Sequence, residues 1–268
     1  MTPGEGAGRP RRLAARKLSL SVDGAEGRVP AVAWLPDGDT GAAPAVLLGH
    51  GGGMSKDSAF VDGLANRFAG VAGFTAVAID LPYHGERTPA EEIGLSALER
   101  RARMGLDAWR ERNSEATAEA VADWQATIDA VQKLDTVRDA PIGYFGLSMG
   151  TRFGIPLLAA ERRVAAAVLG LFGYSPADGP AAFADAARQI EIPVLYLLQW
   201  DDELFPRTDG LTLFGLLATK DKTLHANTGG HIQIPPAELK AAIEFLRRHL
   251  GGVSSFTVGG RESPPAGP

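Results

Sequence analysis

Eight short apolar runs, separated by stretches with helical periodicity, constrain this chain more than any other feature. They cover residues 17–22, 29–34, 45–48, 75–79, 142–145, 164–169, 194–198 and 222–225. Each has the length of a strand, and glycine or proline punctuates most of the boundaries. The first two read as an antiparallel pair turning near Asp23 and Gly24. Helical spacing appears between the others, at 58–70, 117–134, 149–160 and 236–250. In 117–134, Val121, Trp124, Ile128, Val131 and Leu134 share one face, and in 236–250 Leu239, Ile243, Phe245 and Leu246 turn inward. Strands apolar on both faces that alternate with helices imply an α/β fold: a mostly parallel, eight-stranded sheet with helices on both sides.

At 268 residues the chain is long enough for one large domain, expected over 17–250. Residues 1–16 and 251–268, rich in Gly, Pro and Arg or Ser, read as flexible tails. Two long connections, about 86–116 and 172–190, read as lid-like insertions. The first holds a charged helical piece over 96–112, and Trp109, Phe172, Tyr174 and Phe183 are aromatic candidates for a pocket lining or for ordinary packing. A net charge of −5 argues against a nucleic-acid surface. The absence of cysteine excludes disulfides, thiolate metal sites and a cysteine nucleophile. With neither a membrane-length apolar run nor a secretory h-region, the expectation is a cytoplasmic protein.

Gly146-Leu147-Ser148-Met149-Gly150 follows the fifth run and precedes a helix. A serine between glycines at a strand-to-helix turn is what a nucleophile elbow requires, because the strained turn exposes the hydroxyl and small neighbours let it close. A serine nucleophile needs a base, an acid that orients the base, and donors for an oxyanion. His231, on Thr228-Gly229-Gly230-His231 after the last run, is the base candidate. His50 and His84 precede the serine, His225 lies within a strand, and His249 sits late in a helix on an exposed side. The acid is Asp201 or Asp202, both at the end of the seventh run, where open parallel sheets keep their sites. One oxyanion donor is the backbone N–H of Met149, at the positive end of a helix. The second is expected from His50-Gly51-Gly52-Gly53-Met54, whose glycines allow close backbone approach. The Ser55-Lys56-Asp57 that follows does not make a phosphate loop, and the histidine spacing matches no zinc motif, so no metal or cofactor is expected.

With these residues in place, the chain resembles the α/β-hydrolase superfamily, particularly its dienelactone-hydrolase-like and small-esterase branches. The resemblance spans about 17–250 and rests on residues 48–53, Ala78-Ile79-Asp80-Leu81-Pro82-Tyr83-His84-Gly85, 146–150, Asp202-Glu203-Leu204-Phe205-Pro206 and 229–231. It implies an α/β-hydrolase fold. It selects Asp202, which stands four positions before a proline, and Gly52 as the second oxyanion donor, and it gives His84 a structural role. Two positions depart from the family: Ser148 replaces the cysteine of dienelactone hydrolases, and Trp200 replaces a small residue before the acid. The implied activity is hydrolysis of a small ester or related acyl bond by Ser148, His231 and Asp202. C–C bond hydrolysis or peptide cleavage on the same triad, and a non-catalytic binding module, are the alternatives.

Overall fold

Alternation along each strand decides which side chains reach which face of the sheet. The computed structural model describes residues 15–251 apart from 25, 38–41 and 178. Its strands are β1 (Arg16–Gly24), β2 (Gly27–Leu35), β3 (Ala45–Gly49), β4 (Thr75–Ile79), β5 (Ile142–Gly146), β6 (Val164–Gly170), β7 (Val194–Gln199) and β8 (Lys222–Asn227). On β3, Ala45 and Leu47 enter one core while Val46 and Leu48 enter the other. On β7, Val194, Tyr196 and Leu198 face the first core, and Leu195 and Leu197 the second. Successive strand side chains point to opposite faces, so an uninterrupted apolar run feeds two cores at once.

The eight strands form one sheet in the order β1-β2-β4-β3-β5-β6-β7-β8. β1 pairs with β2, and β2 with β4, in antiparallel register; every pairing from β4 to β8 is parallel. The helices are α1 (Ala59–Gly70), α2 (Ala97–Met104), α3 (Leu106–Val131), α4 (Met149–Ala160), α5 (Ala181–Ala187), α6 (Arg207–Leu216) and α7 (Pro236–Leu250). α1 and α7 cover one face through Leu64, Phe68, Phe245 and Leu246. α3 and α4 cover the other through Trp124, Ile128, Phe153 and Leu157, with Ala187 of α5 and Leu213 of α6 beside them. The α/β-hydrolase architecture expected from the sequence is the one observed.

The long connection after β4 departs from its expected form. Residues 96–112 make two helices rather than one. Ser96 caps α2 with Glu99 in a reciprocal capping box, and Gly105, with φ +85°, ends it. α3 then starts at Leu106 and runs unbroken through 113–116 into the helix expected from 117; its first turns are polar and bury nothing before Ala116, so the join left no apolar signal. In the second insertion, 172–190, α5 packs against the body and buries Ala184 and Ala187. Strand β1 already includes Arg16, which was expected in the tail, and α7 ends at Leu250 on Gly251, with φ +74°. The rest of the two tails lies outside the described residues, apart from Ala15. Among the described residues, no helix is long and apolar enough to cross a membrane.

Candidate active site

Strand β5 delivers the serine. Ser148 has φ 57° and ψ −118°, a positive φ that β-carbon sterics normally disfavour, and its N–H donates to Gly170 O at 2.9 Å. The flanking glycines are there for space. A Cβ on Gly150 would lie 2.4 Å from Gly49 O, and one on Gly146 would lie 2.6 Å from the Tyr144 ring. Tyr144 is fully buried beneath this turn and donates its hydroxyl to Gly150 O at 2.6 Å. Burial raises the Tyr144 pKa far above the ordinary phenol range, which keeps it a neutral donor. Thr151 Oγ1 braces the same turn between Gly146 O, at 2.8 Å, and the Gly170 backbone.

The structure brings Ser148, His231 and Asp202 into one chain of contacts. His231 Nε2 is 2.9 Å from Ser148 Oγ, and Nδ1 is 2.8 Å from Asp202 Oδ2. With the Nδ1 proton donated to the carboxylate, Nε2 is free to accept the serine proton. Asp202 Oδ1 accepts the N–H groups of Leu204 and Phe205, at 2.8 and 2.9 Å, so the carboxylate is fixed before it meets the imidazole. Asp201 points elsewhere: its Oδ2 accepts Gly229 N–H at 3.2 Å. The Phe205 ring lies 5.7 Å from the His231 ring and 4.7 Å from Phe172.

Three residues that sequence reasoning passed over hold the histidine loop or the elbow. Glu203 accepts the backbone N–H of His231 at 2.9 Å. Gln199 Nε2 donates to Gly230 O and Gln233 O at 3.3 and 2.7 Å. Tyr144 is the third. Glu203 carried a faint signal, since it lies within the quoted motif; Gln199 and Tyr144 carried none, because their partners are backbone atoms, far along the chain for Gln199 and across the strand-to-helix turn for Tyr144.

The glycine loop expected to hold the second donor follows β3. Gly51 O accepts Met54 N–H at 3.2 Å, and Gly53, with φ +72°, completes the turn. Among the described residues, neither Gly52 N–H nor Met149 N–H has an acceptor, and Met149 opens α4 at its positive end. His50, buried beneath the loop, accepts Leu81 N–H at Nε2, 3.1 Å, so its Nδ1 proton donates to Gly51 O at 2.9 Å. Burial, the largest influence, lowers its pKa to about 4 and keeps it neutral.

The other histidines stay out of this constellation. His84 lies 5.4 Å from the His50 ring, and His225 contacts Glu238 at 2.7 Å. His249, expected on an exposed face, is largely covered: its ring packs 4.5 Å from Phe245, because α7 turns that edge toward the sheet. Trp200 is half exposed, under the Arg207 guanidinium at 4.7 Å. Phe172, Tyr174 and Phe183 stack on one another and against the core. Among the described residues, no group of three or more His, Asp or Glu is placed to hold a metal.

Residues 29–227 match the dienelactone hydrolase family. The fold is similar to a polyethylene-glycol-bound cold-adapted esterase from an Arctic intertidal metagenomic library. The identity there is 38%, over 93% of this chain and 100% of that one, with a TM-score of 0.72. A ferulic-acid-bound Est1E from Butyrivibrio proteoclasticus shares the fold at 15% identity, covering 87% and 99% of the two chains, TM-score 0.66. So does a dienelactone hydrolase from Anabaena variabilis at 21% identity, covering 88% and 99%, TM-score 0.60. Among curated proteins, none matches.

Proposed function

The chain belongs to the dienelactone hydrolase family, and from that premise we propose that it is a serine hydrolase of small carboxylic esters. One observation carries the reading: the continuous contact from Ser148 Oγ through His231 to Asp202, at 2.9 and 2.8 Å. His231 takes the serine proton as Ser148 attacks the ester carbonyl, and Asp202 stabilises the imidazolium that forms. The amides of Gly52 and Met149 receive the developing oxyanion, as two N–H groups without acceptors can. His231 then returns the proton to the leaving alcohol, and water hydrolyses the acyl-Ser148 intermediate by the same steps in reverse order.

One support comes from a relative. The Arctic relative at 38% identity is called an esterase, and the chain matches its whole length. A serine in place of the family's cysteine asks more of the base, because an alcohol, unlike a thiol, is not appreciably ionised near neutral pH. The tight His231 contact supplies that base.

The test is Ser148→Ala. Turnover of p-nitrophenyl butyrate and labelling by a fluorophosphonate probe should both vanish while the fold persists by circular dichroism. Labelling that survives at another residue would overturn the assignment. A vinylogous diketone turned over faster than the ester would instead favour C–C hydrolysis.

A further inference from the structure

Three arginines from three helices converge with a single, partly buried carboxylate among them. They are Arg100 of α2, Arg112 of α3 and Arg152 of α4, and together with His84, Trp109 and Phe153 they line a cavity of about 30 Å³. That volume admits one or two water-sized groups. Glu92 is the carboxylate, and Arg112 engages both of its oxygens in a fork, with Oε2 at 2.7 Å from Nη2. Little of Glu92 remains for the other two. Arg100 spends Nη1 on Tyr83 O, at 3.1 Å, and Nη2 on Glu92 O, at 3.4 Å. Its buried Nε makes no hydrogen bond, although Glu92 Oε2 lies 3.5 Å away.

Arg152 is the most exposed to this deficit. It is partly buried, donates Nη2 to Asn113 O at 3.0 Å and lies 4.7 Å over the Phe153 ring. Among the described residues it meets no carboxylate. Burial lowers its pKa to about 10, still well above neutrality, so the charge stays. The outlying Glu91 is exposed, and His84, whose pKa burial and the neighbouring arginines hold down, adds no counter-charge. A partly buried cation without a carboxylate beside it still loses hydration, and convergent guanidinium donors suit an anion.

We propose that this cavity binds one small monovalent anion, of chloride size, bridging Arg152 to Arg100 and Arg112. The anion takes the N–H donors of Arg152 and Arg100 that no protein atom uses. It thereby ties the α2 and α3 cover to α4, the helix that begins just after Ser148. The site is separate from the ester-hydrolysing residues and does not depend on their assignment.

The test begins with protein exchanged into sodium gluconate, whose anion is too large for the cavity. Replacing gluconate by chloride or bromide at constant ionic strength should raise Tm saturably, by about 3–8 °C. Arg152→Met should lose that rise, and in gluconate it should be at least as stable as the wild type, since an uncompensated charge has gone. Bromide-soaked crystals of the unaltered protein should show an anomalous peak within hydrogen-bonding reach of Arg152. An equal Tm in gluconate and bromide together with no such peak overturns the proposal. So does a halide-insensitive protein whose kcat/KM for a hemiester depends on Arg152, because the anion would then be part of the substrate.

Discussion

Glu203 accepts the backbone N–H of His231 across 2.9 Å, so the residue beside the candidate acid anchors the main chain of the candidate base. Three successive acids grip three parts of one loop: Asp201 holds Gly229 N–H, Asp202 the imidazole, and Glu203 the His231 backbone. The loop needs this, because Gly229, with φ +111°, and Gly230 leave it little intrinsic stiffness. Glu203→Ala should lower kcat by roughly 5–50-fold with KM little changed, since small misplacements of a base are costly. Glu203→Gln, which keeps an accepting oxygen, should retain most activity. Steady-state kinetics on both variants decide it, and an unaffected Glu203→Ala would assign the anchoring to Gln199 and Asp201 alone.

His50 makes stability depend on pH in a direction that can be worked out. Its folded pKa of about 4 lies below the ordinary 6.5, so between those values the unfolded chain binds a proton that the folded one does not. Its contribution is therefore intact above pH 6.5 and falls as pH drops toward 4, by about 3 kcal/mol in all. Urea unfolding at pH 7.5 and 4.5 should show a larger loss in the wild type than in His50→Asn. Equal losses would mean that other groups set the acid sensitivity.

The sheet was legible because its strands are buried on both faces, which leaves unbroken apolar runs, and all eight appear within one or two residues of their expected limits. The break at Gly105, the run of α3 through 113–116 and all of α6 were not. The helix buries nothing before Ala116, and α6 is short and interrupted by Gly210 and Gly215, so neither stretch shows an apolar stripe. At the site, residues that carry chemistry stood out through motif and chain order. Those that only position them did not. Gln199 and Tyr144 act on backbone atoms brought near by folding, and no spacing rule along the chain reports that.

Tyr144 fits only because glycine stands at each point its ring approaches. A Cβ at Gly49 would sit 2.1 Å from the hydroxyl oxygen and 2.9 Å from the ring carbon that bears it. Gly49→Ala should therefore destabilise the protein by about 1–3 kcal/mol through overpacking. Tyr144→Phe removes the nearer atom and should relieve part of that cost, although alone it costs about 1–2 kcal/mol by leaving Gly150 O without the hydroxyl. Gly150→Ala meets the Gly49 carbonyl at 2.4 Å instead, so Tyr144→Phe should not rescue it. Chemical denaturation of the two double-mutant cycles checks the pattern, and strict additivity at Gly49 and Tyr144 would count against it.

Asp201 and Asp202 are chemically identical neighbours, which makes them a sharp test of geometry against composition. Asp202 Oδ2 holds the Nδ1 proton of His231, and its Oδ1 is held by two backbone N–H groups. Asn at 202 can preserve the packing yet present an amide N–H to Nδ1, which favours the tautomer with its proton on Nε2. That nitrogen then no longer accepts from Ser148. Asp202→Asn should lower kcat by about 10³–10⁴-fold, the size of effect seen when a triad loses its orienting carboxylate. Asp201 only accepts Gly229 N–H at 3.2 Å from an exposed position, and an amide oxygen can do the same. Asp201→Asn should stay within about three-fold of the wild type, because the exchange keeps an accepting oxygen at an exposed, solvated hydrogen bond. Rates on p-nitrophenyl butyrate for the two variants separate the roles, and comparable losses in both would sink the assignment of Asp202 as the residue that orients His231.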